Sequence, residues 1–554
     1  MKKATLFIIT FLFLSISGKA QQLDRKGFGA PFDFSLYLSG NFGELRSNHF
    51  HGGLDFKTQH RSGMKLLALQ DGYISRVQVT HGSGYVLHTV YDNGFSTISR
   101  HLMGFVGSVA QLVDSLQYRN ESWEVDIKFQ PHEHPIKKGQ HVAYSGNMGY
   151  SFAPHLHLDV YETETGINVD PLPFFAHLLG DKRPPVAQTF MFFPQEGAGV
   201  INQSSKVSTR DVKVNTPVSA WGLVGVGIKA FDYMDGVTNH YGVKYMKVYL
   251  DDQLLFESKV DSYADSENRY INSWTQQKHM KAFIEPGNKL KMLQAYNDTR
   301  GLIEVNEERP YQLKFVLTDY YKNSATYHLT IQGVKQEIAN LAGESDSFLT
   351  WDTHNIFSRL GLDLFIPKGA LYDDVHLNFH SQLASAATLS LIYQLVEPDK
   401  YVPLHQSGRL ALRVINLLKV DPEKLYIAKK TKSGKWNSVG GSYKDGFVHS
   451  RIRELGTFAV LADTIAPSVT PVLLNQWGQR GEVVFKVEDK ETGIKSYRGT
   501  IDGEYALFYL DIMPKKIRYK VDSKRIQRGK QHKVELVVED NAKNRTFITE
   551  HFYW

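Results

Sequence analysis

The chain has 554 residues, a formal net charge of +6 and no cysteine. This length allows several hydrophobic cores. The lack of cysteine excludes a disulfide framework, a thiolate nucleophile and a lipidated N-terminal cysteine. The mild positive surplus is too small to indicate nucleic-acid binding, although it suits an anionic cell wall.

Residues 1–20 have the pattern of a secretory signal peptide. A lysine pair is followed by an apolar run over 6–14, and small residues precede a cleavage site at Gln21. That run is too short to span a bilayer, and no other stretch approaches the required length. We predict an exported mature protein without a transmembrane segment, in the periplasm or cell envelope, with secretion as the alternative. Cleavage of this signal peptide would remove its three lysines and lower the net charge from +6 to +3.

The first candidate metal ligands are His51 and Asp55, which lie four residues apart. Two consecutive glycines between them, Gly52 and Gly53, disfavour a helix, so we expect a tight turn that brings both side chains together. A neutral imidazole and a carboxylate are ordinary ligands of zinc.

The following segment indicates antiparallel strands. Residues 73–79 and 85–91 alternate as strands do, and Asp92-Asn93-Gly94 is a strong hairpin signal. The strand that follows this turn ends at His101. We expect this strand to neighbour a strand over residues 154–161, which carries the second candidate motif described below, and so to bring His101 near the metal site.

Residues 107–130 form a long connection. Val109, Leu112, Val113 and Leu116 recur at helical spacing, and a short alternating strand follows. Long insertions in compact domains are often functional. Two interpretations stay open: a helix docked on the sheet, or a wall of a substrate groove.

The second candidate motif is the stretch 154–161. His155, His157 and Asp159 share one face of a predicted strand, and apolar residues occupy the other. The two imidazoles would lie about 6–7 Å apart. Two histidines and one aspartate from distant segments would leave a fourth position open for water, as catalytic zinc sites require.

Taken together, His51-x-Gly53-x-Asp55 and His155-x-His157 resemble the signature of the M23 (lysostaphin/LytM-type) zinc metallopeptidases. Segments 137–140, 145–149 and 169–173 also stand in the order and spacing of that family. The resemblance covers roughly residues 40–175, about a quarter of the chain. It implies an antiparallel β-sheet metallopeptidase domain.

The resemblance also implies the roles of the site residues. His51, Asp55 and His157 would bind one Zn²⁺ per chain, and His101 and His155 would be the catalytic histidines. One of these two would take the proton of the zinc-activated water and the other would stabilise the oxyanion. The sequence does not decide which histidine has which role. The implied activity is that of an exported zinc metalloendopeptidase that hydrolyses peptide cross-links of peptidoglycan, with stem peptides as its substrate.

Two other functions stay open at this stage. The chain could be a non-catalytic envelope scaffold or hydrolase activator that uses the peptidase fold for binding. It could also be a peptidase acting on extracellular proteins. Intact ligand positions argue against the first alternative.

After Arg183-Pro184-Pro185 the chain consists of short alternating strands, which completes an all-β-dominated multidomain fold class. We divide it into a signal peptide (1–20), an M23-like peptidase domain (21–182) and three β-sandwiches (186–333, 345–463 and 465–554). The first and last sandwiches resemble bacterial Ig-like modules and share a weak repeat ending in Asp319…Asn323 and Asp540…Asn544. The middle one loosely resembles ZU5-like sandwiches. We expect 21–182 to fold alone, and the sandwiches to position it or to contact other envelope proteins.

Overall fold

The computed structural model describes residues 28–338, 347–385, 387–415 and 420–554. Strands dominate these residues and helices are few and short, so the all-β multidomain class is confirmed. The predicted signal peptide lies outside the described residues. In the part of the chain that is described, no helix has the length and apolar character needed to cross a membrane.

The first unit contains the predicted metal site and is built on an antiparallel sheet. Its helices are α1 (Gly107–Arg119) and α2 (Leu172–Phe175). Its strands are β1 (Leu38–Gly40), β2 (Leu45–Arg46), β3 (His49–Phe50), β4 (Gly53–Lys57), β5 (Lys65–Leu67), β6 (Gly72–Thr80), β7 (Gly84–Tyr91), β8 (Phe95–Leu102), β9 (Gly104–Phe105), β10 (Val125–Lys128), β11 (Pro135–Ile136), β12 (His141–Tyr144), β13 (His155–Glu162) and β14 (Asn168–Val169).

The main sheet of this unit has the strand order β1-β4-β13-β8-β7-β6-β10. Strand β13 therefore lies between β4 and β8, with His157 opposite Asp55 on one side and opposite Arg100 on the other. The predicted strands 73–79 and 85–91 correspond to β6 and β7, and the turn at Asp92-Asn93-Gly94 joins β7 to β8. This order brings three separate chain segments to one site.

The second unit follows the proline-rich junction. It contains a 3₁₀ helix (Asp265–Tyr270) and α3 (Ile271–Trp274). Its strands are β15 (Val186–Ile201), β16 (Ser208–Asp211), β17 (Val218–Phe231), β18 (Tyr245–Leu250), β19 (Gln253–Lys259), β20 (Ser262–Tyr263), β21 (Thr275–Gln276), β22 (His279–Lys281), β23 (Leu293–Ala295), β24 (Ile303–Val305), β25 (Pro310–Thr318) and β26 (Ser324–Gly333).

The third unit consists mainly of two five-stranded sheets around a core that includes Leu364, Leu410 and Val460. It also has a 3₁₀ helix (Pro422–Lys424). Its strands are β27 (Ser347–Leu349), β28 (Asn355–Arg359), β29 (Leu362–Ile366), β30 (Val375–Leu377), β31 (His380–Gln382), β32 (Ile392–Gln394), β33 (Pro403–Arg413), β34 (Leu425–Lys430), β35 (Trp436–Gly440), β36 (Ser442–Lys444), β37 (Phe447–Glu454) and β38 (Thr457–Ala462).

The fourth unit pairs two four-stranded sheets over a core that includes Trp477 and Phe485. It carries a 3₁₀ helix (Leu474–Gln476) and α4 (Trp477–Arg480). Its strands are β39 (Ser468–Pro471), β40 (Glu482–Glu488), β41 (Ile494–Ile501), β42 (Glu504–Ala506), β43 (Tyr509–Asp511), β44 (Lys516–Lys520), β45 (Gln531–Asp540) and β46 (Arg545–Tyr553).

The first and second units share their hydrophobic cores. Phe42 and Phe50, from the first unit, are buried in the core of the second, with their rings 5.3 and 5.4 Å from that of Tyr263. Conversely, Met234 and Tyr241 belong to the core of the first unit, and β14 pairs with β20 across the boundary. A segment ending at residue 182 would expose these aromatic side chains, which argues against the expectation that it folds alone.

The long connection 107–130 forms a docked helix. Helix α1 buries Val109 and Val113, and within the described residues it does not line the cleft around the metal site. The connection contacts the fourth unit instead. Asp114 of α1 pairs with Arg525 at 2.9 Å. Trp123, which follows the helix, stacks on Tyr509 with ring centroids 5.1 Å apart. The structure therefore favours the docked helix over the groove wall.

Candidate metal centre

Strand β13 presents its histidines to one face of the sheet, as the alternation predicts. Leu156, Leu158 and Val160 are fully buried on the opposite face, because apolar side chains of period two must face the core. His155 and His157 project from the other face into an open cleft.

His51 and Asp55 reach the same point from β4. Asp55 lies inside the strand and His51 lies two residues before it. The expected tight turn is therefore wrong. Alternate residues of an extended chain point to the same side, which places both side chains on one face. A Cβ at Gly53 would lie 2.2 Å from the carbonyl oxygen of Leu158. Only glycine allows β4 to approach β13 this closely.

Three ligand atoms converge where the strands meet. His51 Nε2 lies 3.0 Å from Asp55 Oδ1 and 2.9 Å from His157 Nδ1, and His157 Nδ1 lies 2.9 Å from Asp55 Oδ1. Ligands about 2.0–2.1 Å from a tetrahedral zinc are about 3.3 Å apart. The three atoms are a few tenths of an ångström closer together than that.

The outer nitrogen of each ligand histidine is held by an acceptor. His51 Nδ1 donates to the carbonyl oxygen of Asn41 at 2.6 Å, and His157 Nε2 donates to Asp159 Oδ1 at 2.7 Å. Arg100 Nε in turn donates to Asp159 Oδ2 at 3.0 Å. Two inward nitrogens and a carboxylate oxygen therefore face one point, an arrangement that fits a cation. Two histidines and one aspartate are a suitable donor set for Zn²⁺.

The electrostatics of the site favour a positive charge at this point. Burial opposes ionisation of Asp55, but His51 and His157 outweigh it and hold the pKa of the carboxyl well below its usual range. Burial also lowers the pKa of His157, but Asp159 and Asp55 outweigh this effect and raise the pKa to about 9. In the absence of a metal, a proton on His157 supplies the charge that the carboxylates attract.

His101 and His155 stand beside the three ligand atoms. Their ring centroids are 4.9 Å apart, and His155 Nε2 is 3.5 Å from Asp55 Oδ1. His101 Nδ1 donates to the carbonyl oxygen of Met148 at 2.7 Å, and His155 Nδ1 donates to that of Ala153 at 2.8 Å. The Nδ1 proton of each ring is thus held by backbone, and the Nε2 lone pair is free to accept a proton.

Burial lowers the pKa of both of these histidines. For His101 the neighbouring His155 and His157 lower it further, to about 3. For His155 burial is the main cause as well, partly opposed by Asp55. Both rings are therefore neutral at neutral pH, as a proton acceptor must be.

The second unit supplies one wall of the cleft. The cleft has a volume of about 1140 Å³ and is bordered by Gly236, Val237 and Asn239 from the loop after β17 and by Tyr263 and Asp265. The exposed aromatic rings of two residues in the first unit line it as well; these are Tyr150 and Phe152. Sequence reasoning did not find the contribution of the second unit.

Sequence reasoning also missed the outer residues that orient the ligands. The alternation placed Asp159 on the same strand face as His157, but its role as the acceptor for that ring was not assigned. Arg100 and Asn41 carry no such local signal, since they meet the ligands only through strand pairing and a loop contact.

Part of the chain is similar to solved peptidase structures. A zinc-containing peptidase from Vibrio cholerae matches at 22% identity and a TM-score of 0.20, over 26% of this chain and 39% of that one. The catalytic domain of lysostaphin from Staphylococcus simulans matches at 22% identity and a TM-score of 0.19, over 26% and 92%. The catalytic domain of the prophage-encoded M23 protein EnpA from Enterococcus faecalis, as a single-residue mutant, matches at 20% identity and a TM-score of 0.19, also over 26% and 92%.

These similarities cover about a quarter of the chain, and the chain spans well under half of the Vibrio peptidase. A family model described as a Zu5-like domain matches residues 346–463, where the sequence loosely resembles such a sandwich.

Proposed function

We propose that this chain is an exported zinc metalloendopeptidase that hydrolyses the peptide cross-links of peptidoglycan. The observation that carries the proposal is the convergence of three ligand atoms, from His51, Asp55 and His157, next to two neutral histidines in an open cleft. A peptide-bond hydrolase of this type needs a metal with an open position and a nearby proton acceptor, and the site offers both.

His51 Nε2, Asp55 Oδ1 and His157 Nδ1 would hold the ion. When bound, zinc lowers the pKa of a water towards about 7 and polarises the scissile carbonyl. His101 and His155 present their Nε2 lone pairs to the cleft, so one of them takes the proton of the attacking water and passes it to the leaving amine. The other would need a proton on Nε2, which it would donate to the carbonyl oxygen as negative charge develops there.

The cleft also supports a peptide substrate. It is open to solvent, and exposed aromatic rings of Tyr150 and Phe152 can pack against side chains on either side of the scissile bond. The signal-peptide pattern of residues 1–20 and the small positive charge after its removal suit stem peptides in an anionic envelope.

Elemental analysis and digestion of purified sacculi by the full chain test this proposal. We expect one zinc per chain, which His51→Ala, Asp55→Ala and His157→Ala each lose. His101→Ala and His155→Ala keep zinc but lower the rate by about 10²–10⁴-fold. The exposed His177, which lies in the same unit but outside the cleft, is the matched control.

Three results would contradict the proposal. Full zinc retention in two of the three ligand variants would refute the ligand assignment. Zinc binding without release of muropeptides from sacculi, together with cleavage of a folded protein substrate, would place the activity on extracellular proteins. A chain that binds sacculi but holds no zinc would be a scaffold or activator.

A further inference from the structure

A second group of acidic side chains lies at the junction between the first two units. Asp181 follows α2, Asp232 follows β17 and Asp319 follows β25, and one oxygen of each lies within 4.8 Å of the others. All three residues are buried, with exposed fractions of 9%, 6% and 1%. Three carboxylates so close together repel one another unless a positive charge lies between them.

Two of the carboxylate oxygens have no donor among the described residues. Asp181 Oδ2 and Asp232 Oδ1 are buried without a hydrogen-bond partner, and an unpaired buried carboxylate oxygen is costly. The nearby cation, Arg183, does not pair with them. Its guanidinium stacks on Tyr233 and donates to the carbonyl oxygens of Met234 and Val237 instead.

The boundary between the third and fourth units, which we call the second junction, offers an internal comparison. There the repeat places Asp463, Asp489 and Asp540 together in the same way. In both junctions an asparagine four residues after the last aspartate donates to both of its oxygens; these asparagines are Asn323 and Asn544.

The two junctions differ in how the first aspartate is satisfied. At the second junction the hydroxyl of Thr492 donates to Asp463 Oδ2 at 2.6 Å. At the first, the corresponding atom, Asp181 Oδ2, has no donor in the described part of the chain. The first junction therefore leaves a buried carboxylate oxygen without the donor that Thr492 supplies at the second.

We propose that Asp181, Asp232 and Asp319 form a calcium site, separate from the zinc site and independent of the peptidase activity. An all-oxygen carboxylate set selects a hard divalent cation over zinc. Two oxygens that each lie about 2.4 Å from one Ca²⁺ can be up to about 4.8 Å apart, and one oxygen of each aspartate lies within that distance of the others. In the absence of the ion, burial and the other two carboxylates raise the pKa of Asp232 to about 8.

The ion would fix the loop that borders the zinc cleft. Asp232 begins this loop and Tyr241 ends it, and their backbones pair through two hydrogen bonds. The Tyr241 hydroxyl donates to the carbonyl oxygen of Leu38 at 2.8 Å, and Val237 and Asn239 line the cleft between these anchors. Calcium bound at Asp232 thus orders a cleft wall that belongs to the second unit.

Calorimetric titration of the zinc-loaded full chain with Ca²⁺ tests the site. We expect wild type to bind one more Ca²⁺ than Asp232→Asn, whatever the second junction binds. The exposed Asp235, in the same loop, supplies the control: Asp235→Asn removes the same charge and should bind as wild type does. Without calcium, Asp232→Asn should be as stable as wild type at neutral pH, because the raised pKa already leaves Asp232 protonated there. If it fails to fold, Asp181→Asn takes its place.

Hydrogen exchange provides a second measurement that does not depend on catalysis. Calcium should slow exchange of the amides of residues 233–241 in wild type and in Asp235→Asn, but not in Asp232→Asn. Equal calcium stoichiometry in wild type and Asp232→Asn, or no binding by wild type at millimolar Ca²⁺, would overturn the proposal even if the zinc peptidase activity is intact.

Discussion

The buried ion pair between Lys244 and Asp170 joins the first two units and offers a direct test of whether they unfold together. Lys244 Nζ donates to Asp170 Oδ2 at 2.6 Å and to the carbonyl oxygen of Val260 at 2.7 Å, and it also pairs with Asp261. Lys244 is 7% exposed and Asp170 is 3% exposed. Lys244→Met would leave the carboxylate of Asp170 buried without its cation.

Breaking a buried pair in this way costs about 3–5 kcal/mol, most of it from the uncompensated charge. We therefore expect Lys244→Met to lower the free energy of unfolding of the first two units by about that amount. Asp170→Asn in the same chain removes the stranded charge, so the double variant should lose less than the sum of the two single variants, by about 1.5 kcal/mol or more.

Urea denaturation followed by circular dichroism and by tryptophan fluorescence measures these effects. The matched control is Lys247→Met, three residues along the chain, whose ammonium is half exposed and lies 3.8 Å from Glu257. Its cost should be below about 1 kcal/mol. An equal cost for Lys244→Met and Lys247→Met, or strict additivity of the Lys244 and Asp170 changes, would refute the argument that this pair couples the two units.

Two further predictions concern the first unit. Asp159→Ala removes the acceptor of His157 Nε2 and should weaken zinc affinity about 10–100-fold by competition with a chelator, whereas Glu162→Ala on the same strand should not. Burial and nearby arginines lower the pKa of His88 to about 4, below the value of about 6.5 in an unfolded chain. The unfolded chain therefore binds more protons, and stability falls as the pH drops from about 6.5 to 4. His88→Gln should remove about 1–2 kcal/mol of that loss, since the ring is partly exposed; an unchanged pH profile would contradict this.

The sequence alone determined the elements whose signals are local. The alternation through His155 and His157 defines a strand with one polar face, because side chains of a strand point to opposite sides in turn. The turn at Asp92-Asn93-Gly94 and the strand that ends near His101 follow from equally short patterns. The resemblance then named five candidate site residues, and the structure brings all five to one cleft.

Tertiary structure decided what depends on contacts between distant segments. The hydroxyl of Tyr241 meets the carbonyl of Leu38 across 203 positions, and Phe50 is buried against Tyr263 of the second unit. No local pattern marks such pairs, so the sequence suggested an autonomous first domain.

The same reason explains the outer ligand contacts and the acidic junction. Arg100 reaches Asp159 only because β8 pairs with β13, and Asp181, Asp232 and Asp319 meet only when the second unit packs on the first. Each of these side chains looks like an ordinary surface charge in the sequence. Folding buries these side chains, and burial makes the free energy of their charges depend strongly on their partners.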